Sequence, residues 1–283
     1  MINKIIIVNK PKDYTSRDIV NIISKKLNTR KVGHTGTLDP MAKGVLVCLT
    51  GRYTKLVDLI TSYDKEYIAT IKLGIRTNTS DITGEIIEKK SFNVSDADII
   101  KVFDEFPKTY VQTVPIYSAV KINGKKLYEY ARENKEVLLP KREVNIKSLE
   151  LLSFSGDEIT FKTTVSKGTY IRSLIEDICN KLGTIGTMAS LVRTKQGIFK
   201  IEDAISIDDI NNFDIKGYSI QDYLDIKVIE LNDDNFKIID NGGIIKNNFD
   251  VDDLVLFTYL GNDIAIYYNE FNYLKQYCKL NVL

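Results

Sequence analysis

Histidine is almost absent from this sequence of 283 residues, where His34 stands alone. A single histidine excludes HExxH metalloproteases and multi-histidine metal centres. Cysteine is nearly as scarce. Cys48, Cys179 and Cys278 lie far apart and form no CxxC pair, so neither a disulfide framework nor a zinc knuckle is indicated. No metal is expected. No stretch approaches the roughly 18 consecutive apolar residues of a spanning helix, and the apolar run Ile5 to Val8 is too short for a signal peptide. A cytoplasmic protein with no membrane partner is therefore expected. All five prolines lie in the first 140 residues, so no proline-rich linker marks off the C-terminal part. Apolar residues at 43% and charged residues at 27% are ordinary for a soluble globular chain. The length suits one large domain, or a large domain accompanied by a small one.

The small net charge of +1 hides a division along the chain. Residues 201–283 hold 6 basic and 16 acidic side chains, a net of −10, whereas residues 1–200 hold 33 and 22, a net of +11. A polyanion-binding body with an acidic appendage has this asymmetry. So does a solvated surface whose charge has drifted.

Hydrophobic periodicity places a strand at Lys4 to Val8, then a capping box at Thr15-Ser16-Arg17-Asp18. A helix follows with Ile19, Ile22, Ile23 and Leu27 at helical spacing. Thr29 to Pro40 is a polar, glycine-bearing loop without period. Val45 to Leu49 has the character of a buried strand, a second helix is expected near Tyr53, and Tyr67 to Leu73 alternates as a strand. Ser95 should cap a helix, Asn123-Gly124 signals a hairpin, and residues 126–134 look helical. Leu149 to Phe154 and Glu158 to Val165 form a further hairpin. Ile171, Leu174, Ile175, Ile178 and Leu182 mark an amphipathic helix ended by Gly183. Past residue 215, short apolar runs at 237–239, 254–259 and 264–268 between glycine-bearing turns predict a small β domain.

Gly33-His34-Thr35-Gly36-Thr37-Leu38-Asp39-Pro40 is the segment richest in chemistry. Its glycines and proline impose an irregular backbone around three polar side chains. An Asp before Pro is pushed towards an extended conformation. It can serve as a nucleophile if a cation holds it ionised, or simply as an Asx-turn or helix cap. The segment is not a P-loop, and no GxSxG elbow accompanies it.

This segment, followed by Ala42 and Gly44-Val45-Leu46, closely resembles the catalytic motif of TruB-type tRNA pseudouridine synthases. Further segments resemble the family's in the same order. They are Lys10-Pro11 with Thr15-Ser16; Asp64-Lys65-Glu66-Tyr67 with Leu73-Gly74, Thr77, Thr79-Ser80-Asp81 and Gly84; and Gln112 with Pro115-Ile116-Tyr117-Ser118-Ala119-Val120-Lys121. The last runs from Ser166 to Leu174, with Leu182-Gly183 and Leu191-Val192-Arg193-Thr194. The resemblance spans about residues 4 to 200. Val114 and Val165 depart from the family, which usually has a proline and often a cysteine there.

The resemblance implies a mixed α/β fold, a largely antiparallel sheet flanked by helices with a cleft across its face. A catalytic domain over 1–215 would carry a basic RNA-clamping insertion at 121–147, and 216–283 would be a small acidic PUA-like β domain. It implies isomerisation of uridine 55 in the T-loop of tRNA after base flipping, without metal or other cofactor, by a monomer bound to the T-stem and loop. Asp39 would be the nucleophile, attacking C6 of the base or C1′ of the ribose. Arg172, which lies off the apolar stripe of its helix, would pair with Asp39. Tyr67 would stack on the base and relay a proton. Tyr170 and Leu191 would line the pocket, and His34, Thr35, Lys10 and Lys121 are carried over as substrate contacts. Two rivals belong to other classes: a non-catalytic RNA-binding or RNA-folding protein using the same clamp, and a nucleosidase, which would need a carboxylate to activate water.

Overall fold

The computed structural model describes residues 3–210, 220–224 and 226–281. The opening apolar run forms β1 (Ile5–Lys10). In α1 (Ser16–Lys26) the capping box is complete: Thr15 Oγ1 accepts from the Asp18 N–H, and Asp18 Oδ2 accepts from the Thr15 N–H. Ile19, Val20 and Ile23 turn into the core. Part of the expected loop after α1 is instead a short strand, β2 (Val32–His34), held by pairing with β3 (Lys43–Thr50). A 3₁₀ turn over Gly51–Leu56 precedes α2 (Val57–Thr61), where the sequence predicts one helix.

Next come β4 (Lys65–Leu73), the small hairpin β5 (Ile75–Thr77) and β6 (Ile86–Lys89), α3 (Asp96–Asp104) capped by Ser95, and β7 (Thr109–Thr113). Asn123 and Gly124, both at positive φ, turn β8 (Lys121–Ile122) into β9 (Lys125–Lys126), and α4 (Leu127–Arg132) follows. β10 (Lys141–Ser155) and β11 (Glu158–Val165) form the next hairpin. β10 begins eight residues earlier than its apolar pattern suggests, because its charged first part pairs with β7. Then follow α5 (Ile171–Lys181), β12 (Gly186–Gln196) and β13 (Phe199–Lys200).

The main sheet runs β1-β3-β12-β4-β11-β10-β7, with β2 added to β3 and β13 to β12. Every pairing is antiparallel except β3 with β12. The fold is thus mixed α/β with a largely antiparallel sheet. β12 lies in its interior, between β3 and β4, although its sequence carries no strand signal. Two register shifts against β4, at Met188/Ser190 and Arg193/Lys195, break the period of two that would have announced it. Where β3 meets β12, only glycine fits. Gly44 has φ +102°, and a Cβ there would lie 2.2 Å from the Arg193 carbonyl oxygen.

From residue 220 onward lie α6 (Ile220–Tyr223), β14 (Lys227–Glu230), α7 (Asp233–Asp240), β15 (Ile245–Lys246), β16 (Leu254–Tyr259), β17 (Asn262–Glu270) and β18 (Tyr273–Lys279). The strands form a separate curled sheet in the order β14-β16-β17-β18-β15, consistent with a PUA-like module. The run at 237–239, expected in a strand region, is helical instead. Asn232 caps that helix, its side chain accepting from the Asn235 N–H at 2.9 Å. The expected boundary at 215/216 falls outside the described residues.

At its β1 and β3 end the main sheet is buried on both faces. Leu46 and Cys48 enter a core with Ile19 and Ile23 of α1, Phe103 of α3 and Leu174 and Ile178 of α5. Val45, Val47 and Leu49 enter a second core, shared with Leu224, Leu256, Ile266, Cys278 and Leu280 of the C-terminal part. Two-sided burial is why residues 45–49 form an unbroken apolar run.

Candidate active site

The loop between β2 and β3 is held from three sides. The Leu38 side chain is buried in the core, and Ser16 Oγ accepts from the Leu38 N–H (2.8 Å) while donating to the Leu38 carbonyl (3.2 Å). Lys10 is fully buried, its Nζ donating to the carbonyls of Pro11 (2.8 Å), Tyr14 (2.7 Å) and Pro40 (3.2 Å). Thr35 is buried as well; its Oγ1 accepts from Gln196 Nε2 at 2.8 Å. Lys10 and Thr35 therefore fasten the loop from behind, contrary to the ligand contact expected of them, because their polar atoms are spent on the protein itself.

Asp39 emerges from this loop into a cleft of about 480 Å³. Arg172, at the second position of α5, meets it side-on: Nε lies 3.0 Å from Oδ2 and Nη2 lies 3.2 Å from Oδ1. The guanidinium also donates to the carbonyls of Tyr117 (2.9 Å) and Thr79 (3.1 Å). A planar fork bound to four oxygens has little freedom left, which is the use for which arginine is suited. Asp39 keeps 29% of its side-chain surface open to the cleft, whereas Arg172 keeps 6%. Burial pushes the Asp39 carboxyl above the usual range, with Arg172 pulling the other way and the Asp81 carboxylate adding to the rise. Asp81 is buried nearby, its Oδ1 accepting from Thr79 Oγ1 and from the Thr83 N–H, each at 3.0 Å.

Tyr67, Tyr170 and Leu191 line the same cleft. Tyr67 pairs with Arg193 and Leu191 with Ala69 across β4 and β12, so all four share one face of the sheet. Tyr170 is the N-cap residue of α5, and the Arg142 guanidinium stands 5.6 Å from its ring centre. The structure thus brings together Asp39, Arg172, Tyr67, Tyr170 and Leu191. His34 is half-buried on β2 outside the cleft lining, its Nδ1 accepting from the Gly36 N–H at 3.3 Å. Burial and the nearby Arg193 and Arg17 lower its pKa. Lys121 is exposed on β8, also outside the lining.

Sequence reasoning about the site passed over Lys65, Lys167, Arg193, Tyr117 and Tyr128, which complete the cleft. Lys65 is largely buried, donates to the Thr61 and Tyr63 carbonyls, and is pushed down to about 8 by burial and the neighbouring cations. Arg193 is 1% exposed and donates to the Val45 and Gly36 carbonyls. Lys65 stands two residues before Tyr67 in a matched segment, and that proximity was the available signal. Tyr117 offers Arg172 a backbone carbonyl, for which no residue type is a marker. The cleft is therefore one carboxylate among four tyrosines and four cations.

Residues 24–171 match the N-terminal domain of the TruB family of pseudouridylate synthases, and residues 172–229 match the tRNA pseudouridylate synthase B C-terminal domain. The tRNA pseudouridine synthase B of Clostridioides difficile is 42% identical over 267 residues, covering 89% of each chain. That of Mycoplasma mycoides is 41% identical over 275 residues, covering 95% of this chain and 93% of its own. Among solved structures, a Cbf5-Nop10-Gar1 complex contains a chain with TM-score 0.67 and 26% identity, covering 94% of this chain and 78% of that one. An H/ACA RNP bound to a substrate RNA containing 2′-deoxyuridine contains another, with TM-score 0.68 and 22% identity, covering 98% and 84%. Fold and relatives together define a pseudouridine synthase, an isomerase. The chain belongs to the TruB family, whose members form pseudouridine in tRNA.

Proposed function

We propose that the protein converts uridine 55 in the T-loop of tRNA to pseudouridine, with Asp39 as nucleophile. The supporting observation is the Asp39–Arg172 pair, a carboxylate held side-on by a buried guanidinium and open to a cleft of tyrosines and cations. The uridine leaves its stack to enter, at a cost of a few kcal/mol that contacts in and around the cleft offset. Tyr67 stacks on the base and Leu191 gives it an apolar wall. Asp39 bonds to the nucleoside, the C1′–N1 bond breaks, the base turns and C1′ bonds to C5; the bond to Asp39 then breaks, restoring the carboxylate, and the C5 proton moves to N1, with the Tyr67 phenol as relay. Atoms and electrons balance without a co-reactant.

Outside the cleft, His34 and Lys121 contact the RNA strand, and the basic stretch 121–147 clamps the T-stem. Its tyrosines already hold cations: Lys125 lies 4.9 Å from the Tyr130 ring centre, and Arg132 lies 5.3 Å from that of Tyr128. The protein acts as a monomer, with 1–215 as the catalytic domain and 216–283 as the PUA-like one. The deciding experiment incubates purified protein with unmodified tRNA and maps pseudouridine at nucleotide resolution. Product at position 55 is expected; product elsewhere, or none, refutes the assignment. Asp39→Asn should bind tRNA and form no product, and turnover by that variant would remove Asp39 as nucleophile.

A further inference from the structure

Gln112 on β7 lies outside the cleft lining, yet its side chain is buried and both of its polar atoms are hydrogen-bonded. Its Nε2 donates to Tyr110 Oη at 2.8 Å and to the Tyr170 carbonyl at 3.2 Å. Its Oε1 accepts from the Tyr170 N–H at 2.8 Å. Tyr170 is the residue from which α5 starts, and no side chain of the helix caps that start. Gln112 thus grips both backbone polar groups of the residue that launches the helix. Two residues further on stands Arg172. One more brings Ser173, whose Oγ donates to the Thr113 carbonyl at 2.8 Å and ties the same turn to the residue beside Gln112.

The Gln112 amide is held at both ends, Nε2 by Tyr110 Oη and the Tyr170 carbonyl and Oε1 by the Tyr170 N–H. Burial and the Asp177 carboxylate push the Tyr110 phenol far above its usual range, so the hydroxyl stays protonated. Tyr110, Gln112 and Tyr170 form one chain of hydrogen bonds.

We propose that Gln112 is a positioning residue for the isomerisation: through the Tyr170 backbone it sets the Tyr170 ring and the Arg172 guanidinium against Asp39, with Tyr110 as its support. The inference rests on the roles proposed for Asp39 and Arg172. Without the amide, Tyr170 loses two bonds to a single side chain, and a shift of about 1 Å in a reacting group is enough to cost about 100-fold in rate.

The test uses full-length protein and unmodified tRNA, measuring single-turnover rate, tRNA affinity and Tm for Gln112→Leu, Gln112→Glu, Tyr110→Phe and the double variant. Gln112→Leu is expected to slow the single-turnover step about 10- to 100-fold, with affinity changed far less. Gln112→Glu keeps the acceptor for the Tyr170 N–H and loses the donors, so its rate should fall in between. Tyr110→Phe combined with Gln112→Leu should be no slower than Gln112→Leu alone, because one chain is broken at two points. A folded Gln112→Leu with wild-type rate overturns the proposal, as do losses of rate and affinity that simply track Tm. Should Gln112→Leu fail to fold, wild-type rates in both Gln112→Glu and Tyr110→Phe overturn it, and slowed rates with intact binding support it. Turnover by Asp39→Asn signals failure of the nucleophile assignment; an inactive Asp39→Asn beside a fully active Gln112→Leu signals failure of this one.

Discussion

Asp39 sits under opposing influences whose balance is measurable. Burial and Asp81 raise its pKa, while Arg172 and Lys10 lower it, and the net direction is upward. In the proposed role of nucleophile Asp39 acts in its ionised form, so the rate should fall with decreasing pH through a value above the ordinary carboxylate range. Arg172→Lys removes the fork and the bonds to the Thr79 and Tyr117 carbonyls. Its acid limb should move to higher pH, with a rate loss on the order of 100-fold. A near-normal rate in that variant would remove Arg172 from the reaction. On the alkaline side, Lys10 and Lys65 are both brought down to about 8, chiefly by burial. An ammonium has three N–H donors and a neutral amine two, so Lys10 cannot keep all three of its carbonyls once deprotonated. The Pro40 carbonyl, beside Asp39, is the most distant of them. A pH–rate profile at saturating tRNA should decline as pH rises through about 8, and a plateau continuing to pH 9 would contradict this.

Among the elements, the crossing of β3 and β12 joins the Asp39 loop to the strand that carries Leu191 and Arg193. Gly44 permits the approach, with φ +102° and the Arg193 carbonyl where a Cβ would stand. Gly44→Ala should cost about 1–3 kcal/mol from backbone conformation alone, and more from the clash. Gly156→Ala is the control, since its φ is +61° but nothing lies within 4 Å of its Cβ position. Denaturant midpoints for the two variants separate clash from backbone strain, and equal losses would mean that β3 and β12 part easily. Gly44→Ala should also depress activity, because Arg193 borders the cleft.

Across the whole molecule, charge and packing divide differently. The acidic C-terminal part is no detachable passenger: Leu224, Leu256, Ile266, Cys278 and Leu280 close one core with Ile5, Ile7, Val45, Val47 and Leu49. Tyr53 also donates to Asp263 at 2.8 Å across this junction. Truncation after residue 219 strips the cover from that face of the main sheet. It should lower Tm sharply and cause aggregation; a truncated protein with unchanged Tm would show that the sheet stands alone. tRNA affinity should fall steeply with salt, through phosphate contacts of the basic body. Lys121→Ala should reduce the slope of log K against log salt by about 0.7–0.9, whereas Lys237→Ala, on α7, should leave it unchanged. Equal effects of the two would place the RNA on both parts. Among the described residues no helix is long and apolar enough to cross a membrane, and none form a cluster of three or more His, Cys, Asp or Glu able to hold a metal.

What was legible in the sequence was local. Caps and 3.6-residue spacing marked α1, α3 and α5, and Asn-Gly marked the β8–β9 turn, because those signals arise within a few residues of chain. The loop from Gly33 to Pro40 and the segments that accompany it pointed to the family and to five residues that share the cleft, since residue types survive in linear order. What only the tertiary structure decided lies between distant segments. It set Asp39 against Arg172, 133 residues away, buried Lys10 and Thr35 behind the loop, placed the bulged β12 in the sheet's interior between β3 and β4, and made Gln112 the clamp of a helix 58 residues on. It also sealed the acidic C-terminal part onto the basic body. The physical reason is that periodicity and residue type report which face of an element is apolar, whereas the partner of a buried polar group depends on which strands meet, and strand pairing is a property of the whole chain.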